Sequence, residues 1–203
     1  MPSVRCTRTV ISLAAVAPLP FRHGDGDTTK PTWPTEAKVI ADDKMFYVAF
    51  RCTEPAPDAL KSQPRDRDGP IWSDDCVEVF IKAGGQPTRE YCHLGTNPHG
   101  SLYDAYAGKT GWDSGARVAV HKGEGFWSVE MAIPLARMKL PTDEARLAGP
   151  WRLNLTRARP ARDGQFTEET ALAPTESGSS HVPAKFAYAF FEAFGGKLPA
   201  RGR

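Results

Sequence analysis

Glycine and proline, 18 of each among 203 residues, interrupt this chain too often for long helices. The pieces between them are short, and they alternate. Phe46, Val48, Phe50 and Cys52 recur at every second position. So do Val77, Val79 and Ile81, then Trp127, Val129, Met131 and Ile133, then Trp151, Leu153 and Leu155. A period of two puts each set on one face of a β-strand and the intervening residues on the other. Segments 37–41, 45–52, 76–82, 90–96, 101–107, 117–121, 126–133, 151–157 and 186–191 read as strands on this basis. Turn chemistry separates them at Asp42-Asp43-Lys44, Asn97-Pro98-His99-Gly100 and Lys122-Gly123-Glu124-Gly125. Residues 134–138 read as a helical turn, 158–184 as a loop and 193–203 as a flexible tail. The fold expected is all-β: a two-sheet antiparallel sandwich, immunoglobulin-like or jelly-roll-like, over residues 18–192. Val48, Phe50, Val77, Val79, Leu94, Trp127, Ile133, Trp151 and Leu153 should form its core.

Composition narrows the function. Lys plus Arg number 26 against 24 Asp plus Glu, a net charge of +2, so there is no basic stripe and nucleic acid is not an expected partner. No apolar run approaches the ~20 residues of a membrane-spanning helix, and no membrane partner is expected. Cys6, Cys52, Cys76 and Cys92 show no CxxC spacing and read as buried thiols. Residues 1–17 have two readings. Arg5 and Arg8 before the apolar stretch 10–17, which ends Ala-Val-Ala, resemble a signal peptide and would send the chain to the periplasm or the medium. The same residues also suit a first strand, which leaves the cytoplasm open.

The polar faces carry the chemistry. Glu78, His93, Arg152 and Asn154 fall on the faces opposite the core rows, and Trp72 just precedes the strand that carries Glu78. An indole stacks on the C–H face of a pyranose, while a carboxylate, a cation and an amide hydrogen-bond its hydroxyls. Solvated surface residues would give the same pattern. Asp42, Asp43, Asp74, Asp75 and Asp104 lie in or near turns, where carboxylates and carbonyls suit a hard cation such as Ca²⁺ and equally suit turn capping.

Ile71-Trp72-Ser73-Asp74-Asp75-Cys76-Val77-Glu78-Val79-Phe80-Ile81 resembles the W-x-D-D-x-V-E-V-F signature of family 9 carbohydrate-binding modules. Residues 42–50 resemble that family's early hairpin, and Asn97 to Asp104 its N-x-x-G-x-x-x-D segment. Trp127 to Pro134 resembles W-x-V-E-x-A-I-P, Trp151 to Arg157 resembles W-R-x-N-x-x-R, and His181 to Phe186 resembles the closing H-x-P-x-x-F. Six motifs in order cover residues 35–191. The resemblance implies a β-sandwich that binds plant-type poly- or oligosaccharides such as xylan or cellulose chain ends. A glycoside hydrolase is the partner it implies, and structural calcium occurs in some members. By position, Trp72 matches the first of two clamping tryptophans and Glu78 the site carboxylate. His93 stands where an Arg is expected, Arg152 where a Gln is expected, and Leu172 in the place of the second Trp. The family's N-terminal D-G…W opening is not recognisable in residues 1–30.

Three rival readings stand beside it. Asp74, Asp75 and Glu78 could supply a glycosidase pair, which needs carboxyls about 5–10 Å apart. Met45 with His93 or His181 could ligate haem, although Met more often fills core space. A degenerate module with a structural or protein-interaction role is the third.

Overall fold

The computed structural model describes residues 3–6, 16–162 and 164–196. Alternation becomes strand pairing almost segment for segment. In chain order the strands are β1 (Ser3–Cys6), β2 (Leu19–Pro20), β3 (Arg22–His23), β4 (Thr35–Ala41), β5 (Met45–Thr53), β6 (Cys76–Lys82) and β7 (Cys92–Thr96). They continue with β8 (Leu102–Tyr106), β9 (Arg117–Gly123), β10 (Phe126–Pro134), β11 (Trp151–Arg159), β12 (Glu168–Ala171) and β13 (Ala187–Phe191). A five-residue helix, α1 (Glu144–Ala148), precedes β11, and residues 135–137 make the expected helical turn.

Two sheets result. The larger runs β1-β13-β11-β6-β7-β8, with β12 on β11 and β3 on β12; the smaller runs β2-β4-β5-β10-β9. Pairing is antiparallel except between β1 and β13. The β4–β5 hairpin closes on Asp42, whose Oδ1 accepts the N–H groups of Lys44 and Met45 at 2.8 and 2.7 Å. An aspartate turn of this kind sets the register without help from the core.

All nine expected core residues are buried between the sheets. Trp151 packs edge-on against Phe191 with ring centroids 5.1 Å apart, and Phe191 in turn meets Phe46 of the facing sheet at 5.5 Å. Phe194, expected in the flexible tail, instead stacks on Trp151 at 5.1 Å and 7°. The aromatic stack therefore extends the fold past residue 192; residues 197–203 lie outside the described residues, as does the apolar stretch up to residue 15. Cys52, Cys76 and Cys92 are buried free thiols, and burial pushes Cys52 up to about 11 and Cys92 to about 12.

The expected loop 158–184 hides β12. Its Glu168-Glu169-Thr170 lacks an apolar row, so periodicity gives no signal. It is a strand because its backbone pairs with β11 and β3, and the Glu168 carboxylate accepts the N–H groups of Thr32 and Trp33 at 2.7 and 3.0 Å. One end of the sandwich is closed by ions rather than hydrocarbon. Glu54, fully buried after β5, accepts from Arg159 at 2.8 Å and Arg162 at 2.6 Å, and Arg162 also pairs with Asp75.

Candidate functional site

Register decides which polar residues meet. Across the larger sheet Glu78 lies opposite Thr156 on one side and Gly95 on the other, and Gly95 lies opposite Tyr103. One step along, Phe80 lies between Asn154 and His93. The even members of β6 thus share the outer face with Asn154, Thr156, His93 and Tyr103. Gly95 leaves room for this: a Cβ there would sit 2.5 Å from Ile71 Cδ1. Ile71 can therefore tuck against the sheet and set the turn that presents Trp72.

Trp72 is 57% exposed, and Tyr103 braces its ring edge-on at 5.6 Å and 81°. Beside it the Glu78 carboxylate is held from two sides. His93 Nε2 donates to Oε1 at 2.8 Å and the Thr156 hydroxyl donates to Oε2 at 3.1 Å. Burial pushes the Glu78 carboxyl up, but the bond and charge from His93 and the bond from Thr156 outweigh it and hold it below its ordinary range. An ionised carboxylate has about four acceptor positions, so two protein donors leave capacity for a ligand.

Asn154 sits where β11 changes partner. Leu153 pairs with Ala187 of β13, whereas Thr156 pairs with Ala171 of β12. The Asn154 side chain bridges that split, its Oδ1 accepting from Leu155 N–H at 3.0 Å and Ala173 N–H at 2.9 Å. Its Nδ2 is buried without a partner among the described residues, and so is the Thr170 hydroxyl. Both residues line a cleft of about 80 Å³, together with Trp72, Glu78, Thr156 and the serine loop of Ser177, Ser179 and Ser180. Buried polar groups are almost always satisfied, so the Asn154 amide, on the outer face beside Glu78, points to a hydrogen-bonding ligand, whereas Thr170 lies opposite Arg157 and shares its inner face.

A ring of histidine and aromatic side chains supports this floor. His93 stacks on Phe80 at 4.3 Å and 13°, and meets His181 at 4.9 Å. Tyr91 Oη shares a 2.7 Å hydrogen bond with His181 Nδ1. Burial, then repulsion from His93, pushes His181 below its usual 6.5, with Glu78 opposing.

Of the expected site residues, the cleft gathers Trp72, Glu78 and Asn154, with His93 behind Glu78 as its brace. Arg152 lies elsewhere. It shares the outer face of β11, but its guanidinium covers the Tyr188 ring at 3.6 Å and donates to Phe186 O and Tyr188 Oη, both at 2.8 Å. Leu172 is no clamp residue either: its backbone N–H bonds Leu155 O and its side chain is buried in the core. Met45 belongs to the smaller sheet, so it does not join His93 and His181 around a haem.

The five aspartates do not fit a calcium ion. Asp42 caps its hairpin and Asp43 is exposed. Asp74 accepts two bonds from Arg65 at 2.9 and 2.8 Å, Asp75 pairs with Arg162, and Asp104 accepts from Arg67 at 2.6 Å. A guanidinium already neutralises each buried carboxylate, and among the described residues no three potential ligands converge. The residues missed from the sequence are Thr156, Tyr103, Thr170 and the serine loop. Alternation along β11 could have found Thr156, and alternation along β8 Tyr103; the others depend on β12 and on loop packing.

An exposed indole beside a braced carboxylate, on the outer face of one sheet of a sandwich, defines a β-sandwich binding module. Residues 17–172 match the carbohydrate family 9 binding domain-like model, and the chain belongs to that family. Two solved structures of a family 9 carbohydrate binding module from Caldicellulosiruptor kristjanssonii share the fold. The complex with glucose is 12% identical over 100% of this chain and 99% of that one, with a TM-score of 0.66. The complex with cellotriose is 14% identical over 98% of each chain, also with a TM-score of 0.66. A comparison with curated proteins gives no match.

Proposed function

We propose that this domain binds a neutral plant-type saccharide, such as xylan or cellulose chain ends, at the Trp72 cleft without hydrolysing it. One observation carries the reading: the buried, unpartnered Asn154 Nδ2 belongs to an outer-face residue lining the cleft that Trp72 and Glu78 frame. The sugar ring stacks on Trp72 by its C–H face. Its hydroxyls reach down, donating to Glu78 and accepting from Asn154 Nδ2. The cleft is about 80 Å³, below the usual range for whole small-ligand sites, so it takes the hydroxyl edge of a pyranose rather than the whole ring. With Leu172 in the core, the wall near Trp72 is formed by serines and Ala171, and stacking is one-sided. The glucose and cellotriose complexes of family members support this ligand class.

The carboxyls support binding without catalysis. A glycosidase needs one acid protonated near neutral pH, with a raised pKa. Glu78 is held low, and burial at Asp74 is outweighed by bonds from Arg65 and Asn97, which hold it low too. Isothermal titration with xylo- and cello-oligosaccharides, on this chain and on Trp72→Ala, tests the reading. Heat with the chain and none with the variant supports it. No heat with any saccharide leaves an interaction module as the surviving interpretation.

A further inference from the structure

Trp112 was left outside the Trp72 cleft, and its surroundings are unlike that cleft. The end of β8, the turn 109–113 and the turn after β10 enclose a second cleft of about 650 Å³ at the edge of the sandwich. That volume lies within the usual range for small-ligand sites. Two aromatic rings line it, Tyr106 and Trp112, with centroids 6.1 Å apart. The Trp112 indole N–H donates to Arg137 O at 2.8 Å, which fixes the ring in place.

Around these rings stand three exposed cations, Lys109, Arg137 and Lys139. None has an ion-pair partner among the described residues; one carboxylate, Asp113, also lines the cleft, paired with Arg67 at 2.8 Å and within the field of Arg137. Lys139 adopts φ +49°, a left-handed backbone that a non-glycine residue takes only when its surroundings impose it. Gln86 Nε2 bonds its carbonyl at 3.0 Å, and its ammonium is brought over the Tyr106 ring at 5.3 Å. Fixed aromatic faces with three cations against one arginine-paired carboxylate at the rim match a ligand that is half ring and half anion.

We propose that this cleft is a second carbohydrate subsite, selective for a pyranose that carries a carboxylate. The C–H face of the ring would lie on Trp112 or Tyr106, and the carboxylate would take the forked N–H groups of Arg137 with Lys109 and Lys139 beside it. The uronate can belong to the main chain of an acidic polysaccharide or to a side branch on a neutral one. The proposal stands apart from the Trp72 cleft: Tyr103 and Tyr106 are three residues apart on β8, about 10 Å along the strand.

Tryptophan-indole NMR titrations on the full chain test it, with oligogalacturonate for the main-chain case and glucuronic-acid-branched xylo-oligosaccharide for the side-branch case. Arg137→Gln with Lys139→Asn is the informative variant, because both side chains are exposed and Asn tolerates a left-handed backbone. Uronate should shift the Trp112 indole signal, more weakly at high salt. The double variant should lose roughly tenfold in uronate affinity and keep its response to neutral xylo-oligosaccharide. Trp72→Ala should remove the neutral-sugar response and spare the uronate response. No uronate binding, equal affinity in the double variant, or loss of uronate binding in Trp72→Ala would each overturn the proposal. Inorganic phosphate shifting the same signal as strongly as uronate would overturn the carbohydrate assignment.

Discussion

Glu54, fully buried, and Glu78, half-buried, are carboxylates beside β11, and they have opposite fates. Glu54 lies at the end of the sandwich among Arg157, Arg159 and Arg162, and its oxygens are consumed by guanidinium groups. Glu78 lies on the outer face, held by one imidazole and one hydroxyl. Parity along a single strand makes the difference. Asn154 and Thr156 point outward to the cleft, whereas Arg157 and Arg159 are buried side chains on the ladder's inner end. A carboxylate ringed by cations closes a structure; one braced from a single side stays available to a ligand.

That contrast breaks first at Glu54. Glu54→Ala leaves the buried Arg157 and Arg159 without a counter-charge and should cost about 3–5 kcal/mol of unfolding free energy, read by urea denaturation. A midpoint that does not move would mean the ion cluster is not closing the sandwich. Trp72→Ala should do the reverse, weakening saccharide affinity by about 1.5–3 kcal/mol, tenfold or more, with stability changed by less than about 0.5 kcal/mol. Leu172→Trp would complete a two-tryptophan clamp if that position faced the ligand. Since Leu172 is in the core, overpacking should instead cost about 1–3 kcal/mol with no gain in affinity, and tighter binding would refute its placement.

Acid sharpens the same comparison. The folded Glu78 carboxyl lies below its usual 4.5, so its contribution is complete above that pH and is lost as pH falls through the lower folded value. His181, also lowered, acts in the same direction: its contribution is present above 6.5 and declines on acidification below it. Stability should therefore fall with acid in two stages, and Glu78→Gln should shrink the lower one, which Glu54 and Asp74 share, as thermal melts across a pH series would reveal. The smallest effect belongs to Arg152→Ala. It should leave saccharide affinity unchanged and cost only about 0.5–1 kcal/mol of stability from the contact with Tyr188.

Strand faces were legible because alternation is a local property. Val77, Val79 and Ile81 against Glu78 and Phe80 could be sorted from β6 alone, and the structure keeps that sorting. Phe80 shows its limit. It is an outer-face residue, yet it is fully buried, because His93, His181 and Phe186 cover it from three other segments. Position along a strand was equally illegible. Arg152 and Asn154 share a face, but two residues of rise, about 7 Å, carry Arg152 out of the cleft to Tyr188.

The sequence by itself determined the class of fold, the core rows, and the Trp72–Glu78 pair, because each rests on spacing within one segment. Tertiary structure alone decided that Leu172 faces the core, that three aspartates are spent on arginines, and that Asn154 Nδ2 is left over beside the cleft. Those outcomes depend on which distant segment supplies each hydrogen-bond partner. Arg65 for Asp74, Arg67 for Asp104, Arg162 for Asp75 and Ala173 for Asn154 come from 9, 37, 87 and 19 residues away. No local period encodes a pairing of that kind; it exists only once the two sheets have closed.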